Sequence, residues 1–448
     1  MTKAVSFCDK AMFAALLLLV IFVPYSAVMI EVGLMIMMIC WIVKRSLIWK
    51  ANPHQSFLNS YSLPVNTLQW SLIVIGILIL VTIPFSHDPA LSLKKFFSRF
   101  LQQICLMYLV LEIVTTSKRF WQLMAVLLWT FAVVNADIFV QYFCGHSFIF
   151  SSGLLYGRVS GPMRHPNDLG TLLATVIPVV LSLLIIHKSW TSLILGQKFS
   201  TALKVVCAVL LVLLVISLGL TSSRGAWLAF VLSMMGYAVC IGKRWIMGAI
   251  SIMLVVFFVI FGMHFMNVRS DIFTKEVLSA NEEARVSKNS FSQEVQSTEK
   301  TFLNPSRRSE YWQVALKVIN KNPLFGCGYN AYIQTLKLLH FLPEEYPHSS
   351  LMQITAELGI VGLLAHLWFF LSLGLYGIKT LKSFVHQHRE FYVLALGICF
   401  GLLAWLIHSF TDTPWESLQL NILWWLLIGV LLSLGKIAQQ SNLNQRGA

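Results

Sequence analysis

Charge is scarce in this chain: Asp, Glu, Lys and Arg make up 12% of its 448 residues, against 57% hydrophobic. A soluble domain carries roughly 25% charged residues, so the composition excludes a soluble fold and predicts an all-α polytopic membrane protein. Cysteine is also thin, 8 residues without any CxxC or Cys/His spacing, so neither a metal site nor a cofactor is indicated. Internal repeats and paired broken helices, the usual marks of a secondary transporter, are missing too. What charge there is leans positive, +14. In a membrane protein Lys and Arg collect in cytoplasmic loops and set orientation, so this excess implies membrane lipids, not nucleic acid, as the partner.

A spanning helix needs about 20 mostly apolar residues. Twelve stretches qualify: 11–24, 26–43, 68–85, 100–114, 120–143, 169–186, 203–220, 226–241, 245–266, 351–378, 391–410 and 419–434. The first has no small-residue cleavage site and is followed at once by another, so it is expected to stay as a span. The chain divides into nine spans over 1–266, a polar loop over 267–350, and three spans with a tail over 351–448. Exits from the even-numbered spans are basic, as at Lys44 and Arg45, Lys118 and Arg119, and Lys379 and Lys382. Both termini are therefore expected in the cytoplasm and the polar loop outside, facing the periplasm if the membrane is a bacterial inner membrane.

The loop has two halves. Residues 270–301 are polar with little apolar periodicity. Beyond them Asn304-Pro305 is a helix start, and Tyr311, Trp312, Ala315, Leu316 and Ile319 recur at helical spacing. Pro323 ends that helix, Gly326-Cys-Gly328 turns, and a second short helix is expected from Tyr332 to His340. Lys and Arg number 10 across 267–349 and Asp and Glu 9, so any functional arginine there acts individually.

Several cations stand on the wrong side for topology. Lys94, Lys95 and Arg99 lie on an amphipathic stretch that is expected to rest on the outer membrane surface. Arg158 and Arg164 flank Val-Ser-Gly-Pro-Met, and Arg224 sits between two spans in Thr221-Ser-Ser-Arg-Gly225. Such placement points to an anionic ligand, a phosphate above all; the competing reading is snorkelling to headgroups. Glu31, Glu112, Asp137 and Glu357 are acids within or near spans, the feature a transporter or flippase would use. Cys144 and Cys327, both expected outside, are candidates for a disulfide or for two separate thiols.

Arginine offers a permanently charged planar fork that matches phosphate oxygens, so Arg224 and Arg308 suit a pyrophosphate and its departing charge. Arg307 is an equally placed alternative to Arg308. His348 stands directly before a span, and an imidazole that titrates near neutrality suits a general base; an interfacial capping histidine is the plainer reading. Together these residues suit transfer of a lipid-pyrophosphate-linked group to a hydroxyl without a metal.

The motifs then resemble a known family. Ser223-Arg-Gly-Ala-Trp227, Arg308-Ser-Glu-Tyr-Trp312 with Pro323-Leu-Phe-Gly-Cys-Gly328, and His348-Ser-Ser-Leu-Met-Gln353 with Glu357-Leu-Gly359 resemble, in order, the patterns of the O-antigen ligase and polymerase-like membrane glycosyltransferases. Arg158-Val-Ser-Gly161 and His165-Pro-Asn167 are also similar to the family, whose preferred Asn after the histidine is Ser349 here. The resemblance implies a GT-C-like fold and an inverting, metal-independent glycosyltransferase of the bacterial inner membrane. Its donor would be polysaccharide on undecaprenyl pyrophosphate and its acceptor the lipid A–core sugar. It further implies His348 as base, Arg224 and Arg308 at the donor pyrophosphate, and Asp412 as a candidate acid. Within the family, one large loop between the ninth and tenth spans favours a ligase over a polymerase. A chain that ends soon after its last span disfavours a protein O-oligosaccharyltransferase.

Overall fold

The computed structural model describes residues 2–51, 66–155, 157–186, 200–242, 307–384 and 389–446, with short helical pieces between 247 and 258. Among these residues the chain is helical with no strand, and 11 helices are long and apolar enough to cross a membrane. They include α1 (Thr2–Phe22), α2 (Ala27–Ala51), α3 (Asn66–Thr82), α6 (Ser117–Cys144), α7 (Pro166–Ile185), α8 (Ser200–Leu220) and α9 (Arg224–Ile241). Between α3 and α6, α4 (Pro89–Lys95) and α5 (Gln102–Ile113) join into one 25-residue span. Two short helices follow, α10 (Arg307–Lys321) and α11 (Tyr332–Leu338), then α12 (Ser350–Phe384), α13 (Arg389–His408) and α14 (Leu418–Arg446). The all-α polytopic class is as the sequence predicts. The ninth expected span, 245–266, falls largely outside the described residues, and 270–301 lies wholly outside them.

In a bilayer, lipid tails are as apolar as leucine, so close packing and internal hydrogen bonds hold helices together. The spans obey this. Helices α14 and α7 lie deepest, with 94% and 83% of their apolar stretches buried; α7 shows how the packing is made. Pro178 interrupts its ladder, and the Ser182 hydroxyl donates to the Pro178 carbonyl at 2.9 Å. Helix α13 comes up against that segment through Gly397 and Gly401, where a Cβ would lie 2.6 Å from the Pro178 oxygen and 2.3 Å from the Thr175 oxygen. Large apolar side chains such as Ile77, Val212, Val239 and Leu371 remain exposed on the outside of the bundle, where lipid is their solvent.

Ionic contacts pin one end of the bundle. Lys44 on α2 donates to Asp9 on α1 at 3.0 Å and to Glu112 on α5 at 2.9 Å; Arg45 reaches Glu112 at 2.7 Å, and Arg119 on α6 pairs with Asp9. The network thus clasps four helices, α1, α2, α5 and α6. Asp137, another acid the transporter reading would use, is fully buried and accepts from the Ser147 hydroxyl and, at 2.9 Å, the Phe148 N–H. It ties down the turn after α6. Glu31 accepts from the Gln102 amide.

One expectation gives way, and one pair of open alternatives is decided. The amphipathic stretch with Lys94, Lys95 and Arg99 does not lie apart on the membrane surface. Capped by the Asp88 side chain on the Leu91 N–H at 2.9 Å, it forms the first turns of the Pro89–Ile113 span. Its residues Phe96–Leu101 wind as a π-helix, and Arg99 pairs with Glu416 at 2.8 Å. Cys144 and Cys327 are free thiols, the first exposed and the second buried among loop residues. A smaller difference concerns α10: Tyr311, Val314, Ala315 and Val318 are its buried side, while Trp312 and Leu316 are exposed.

Candidate active site

The other end of the bundle gathers the loops between spans, and their anchor is the turn after α13. Ser350, first residue of α12, donates its N–H to the Ser409 carbonyl at 2.8 Å and to that of Asp412 at 3.1 Å. Two residues earlier His348 takes a positive φ of 47°, a left-handed conformation uncommon for a residue with a side chain. Its Nδ1 then lies 3.0 Å from Asp412 Oδ1. An ionised carboxylate only accepts, so Nδ1 carries a proton, and in the neutral ring the lone pair is on Nε2. The ring of Tyr311, from α10, lies 5.4 Å from the imidazole, centroid to centroid.

Asp412 is held from several sides. Its Oδ1 also accepts from the Thr413 N–H at 2.8 Å, and its Oδ2 accepts from the Asn167 amide at 2.7 Å. Burial alone would push this carboxyl up, but the His348 hydrogen bond and the imidazoles of His408 and His348 hold it well below the usual carboxylate range. Asn167 passes the link on: its Oδ1 accepts from Arg158 Nη2 at 2.8 Å, and Arg158 Nε donates to the Thr221 carbonyl at 2.8 Å. Five residues from four separate stretches thus join in one chain: Thr221, Arg158, Asn167, Asp412, His348.

The arginines crowd this chain. Burial lowers Arg158 to about 10, with Asp412 opposing and Arg224 and Arg308 lowering it further. Arg158, Arg224 and Arg308 therefore share one electrostatic neighbourhood. Arg224 and Arg308 are exposed, each in the first turn of its helix, α9 and α10. Local packing explains the glycine after Arg224. A Cβ on Gly225 would come within 2.4 Å of Thr411 Oγ1 and 2.9 Å of His408 Nε2, so only glycine lets α9 start against the turn that carries Asp412. Arg164 is exposed and near Asp168, outside the hydrogen-bonded chain. Arg307 opens α10, and its side chain lies outside the described residues.

Three further residues complete the cluster. His165 caps α7, its Nδ1 accepting from the Asn167 N–H at 3.2 Å. Burial lowers its pKa, Asp412 opposes this, and Arg158 and His348 lower it further. Thr171 sits 2.6 Å from Nδ1 of the buried His408. Asn167 is the residue whose bridging position no spacing rule announces; its one signal in the sequence is its place in the His165-Pro-Asn167 motif.

Two of the motifs serve architecture. Gly359 has φ 67° and breaks α12 near its start, which frees backbone groups. Ile360 donates to the Pro323 carbonyl at 2.9 Å, while Cys327 and Gly328 donate to the carbonyls of Ala356 and Glu357, both at 2.9 Å. A Cβ on Gly359 would sit 2.0 Å from the Leu324 oxygen, and one on Gly326 2.3 Å from the Glu357 carbonyl carbon. The 323–328 segment and the Glu357-Leu-Gly359 break are therefore two halves of one clamp, which sets the outer loop over α12.

No curated protein matches the chain at a significant level. A protein-family model does: residues 207–367, from within α8 to the middle of α12, match the family described as O-antigen ligase. That match supports membership of the O-antigen ligase and polymerase family, and the helices are those of a multi-pass membrane protein.

Proposed function

We propose that this protein is an inverting glycosyltransferase that ligates polysaccharide from undecaprenyl pyrophosphate onto the lipid A–core sugar. The observation that carries the reading is the His348–Asp412 pair at 3.0 Å within the electrostatic reach of Arg158, Arg224 and Arg308.

His348 Nε2 takes the proton of the acceptor hydroxyl as its oxygen attacks the anomeric carbon of the donor. The new C–O bond forms on the face opposite the bond to the pyrophosphate, which breaks and leaves with its electron pair. Arg224 and Arg308, both exposed, take the charge of the leaving undecaprenyl pyrophosphate. Buried Arg158 is tied to Asn167 and Thr221 and so acts as a fixed positive background. Asp412 fixes the imidazole tautomer and stabilises the imidazolium formed, a task for which a permanently ionised carboxylate is suited. In this reading the loops around His348 face the periplasm and both termini the cytoplasm.

The fate of lipopolysaccharide in a deletion strain tests the assignment. A ligase predicts unsubstituted core with polysaccharide retained on the lipid carrier. Core bearing a single repeat unit would instead identify a polymerase and overturn the ligase reading. The transporter alternative has less to stand on, since Glu112 and Asp137 are consumed by fixed hydrogen bonds.

A further inference from the structure

The outer loop has an apolar edge that the protein leaves bare. A helix turns once in about 3.6 residues, and this period divides α10 into three sectors. Tyr311, Val314, Ala315 and Val318 form the buried one. Glu310, Gln313, Lys317 and Asn320 form an exposed polar one on the far side. Between them lies a third, Trp312 and Leu316, which are one turn apart, exposed and apolar. Just past the end of the helix the exposed Pro323, Leu324 and Phe325 follow. Single exposed apolar side chains are ordinary, but a run of them marks an interaction surface.

Backbone bonds fix the depth of this edge. The Ile360 N–H donates to the Pro323 carbonyl at 2.9 Å and the Val361 N–H to that of Leu324 at 3.4 Å. The 323–325 corner therefore lies level with Ile360 on α12. Ile360 is a boundary residue. No residue from 350 to 359 is exposed, whereas Ile360, Leu364, Leu367, Leu371, Leu375 and Ile378 all are. Their spacing of three and four puts them on one face, a stripe for lipid. At 1.5 Å per residue the stripe covers about 27 Å, close to the roughly 30 Å of a hydrocarbon core. Ile360 thus stands at one edge of that core, and the corner of the loop stands there with it.

From this register we infer that Trp312, Leu316, Leu324 and Phe325 are a membrane-docking edge. Helix α10 lies along the leaflet on the His348 side, with these side chains just below the headgroups and Glu310 and Lys317 toward water. The occupant is bilayer lipid, because the edge is continuous in depth with the lipid-facing stripe of α12. An aromatic side chain with one polar atom, such as Trp312, settles at that interface. Arg308 lies one turn before Trp312, on the same side of α10. Docking therefore holds its guanidinium at headgroup depth, the level of the pyrophosphate of a lipid carrier. This consequence for Arg308 rests on the transferase reading; the docking itself does not.

Fluorescence quenching of the full-length protein in phosphatidylcholine nanodiscs tests the docking. Cys144→Ser and Cys240→Ser remove the exposed thiols. Leu316→Cys, Phe325→Cys or Glu310→Cys then carries a fluorophore, with the background lacking the added cysteine as blank. All three side chains are exposed, so each variant should melt with its background. Lipid with a nitroxide on its acyl chain should quench the labels at 316 and 325, at a depth of about 5–10 Å into the interface. Aqueous iodide should leave both bright, and the label at 310 should show the reverse. Iodide quenching at 316 and 325 equal to that at 310 would put the edge in water and overturn the proposal. Shielding from both quenchers would overturn it too, since another part of this chain or a second copy would then cover the edge. Docking by a parent protein that transfers nothing sinks the transferase reading, and with it the role given to Arg308, and leaves the edge standing.

Discussion

Asp412 organises its neighbours more than any other side chain. It receives His348 and Asn167, and its backbone carbonyl receives Ser350. Asp412→Asn keeps the volume but loses the charge that stabilises the imidazolium and allows the wrong tautomer. Transfer should fall by about 10²–10⁴-fold, the range of a general-base contribution, with the protein still folded; a single-turnover assay with the parent as reference measures this. The carboxyl also leaves a pH signature. Its folded pKa is depressed, so the stability it contributes is present above the unfolded value near 3.9 and is lost as pH falls toward the folded one. The melting temperature of the parent should hold between about pH 5 and 7 and decline below about pH 4 by this linkage. Asp412→Asn should show a shallower acid decline; identical declines would show that other carboxylates dominate.

Among the helices and turns, the clamp between 323–328 and the break in α12 is the most exacting. Gly359→Ala asks a residue with a Cβ to hold φ 67° and to overlap the Leu324 oxygen, 2.0 Å away. Strain of this kind costs about 1–3 kcal/mol before the overlap is counted, so the variant should melt well below the parent in detergent. Gly225→Ala is a more local insult. Its Cβ meets side chains, Thr411 and His408, so the start of α9 should shift while the bundle stands. The expected result is a near-normal melt with transfer reduced at least about tenfold, the effect of a displacement of under an ångström on a positioned group. A normal rate would mean that the placement of α9 is not critical to the site.

The sequence makes these elements legible to different degrees. Spans stand out because an apolar run of about 20 residues has few other uses, and the short exits are basic for a reason that is purely local. His348 and Arg224 were visible because each stands next to a span in a polar turn. The Asn167 bridge was not, since it joins loops some 245 positions apart in the chain, and no local pattern encodes that contact. The π-turn at Phe96–Leu101 escaped for another reason: its charges mimic an interfacial helix until Glu416, from the far end of the chain, is brought to Arg99. The apolar stripe of α10 reads one position off in the sequence, because Trp312 and Leu316 look like core and are exposed.

For the molecule as a whole, the two ends of the bundle divide the work. One is closed by the Asp9, Lys44, Arg45, Glu112 and Arg119 network, and the other gathers the loops with His348, Asp412 and the arginines. The proposed orientation puts the second end outside. The exposed thiol of Cys144 should therefore react with a membrane-impermeant maleimide once the outer membrane is opened and the inner one left intact. Reaction only after full lysis would invert the topology.

The central claim is that His348 is the base for transfer. The direct measurement is the lipopolysaccharide profile of a deletion strain that expresses either the parent protein or His348→Ala at equal membrane levels. The account predicts a restored polysaccharide ladder with the parent and bare core, with polysaccharide still on its lipid carrier, with the variant. A full ladder from His348→Ala would contradict it.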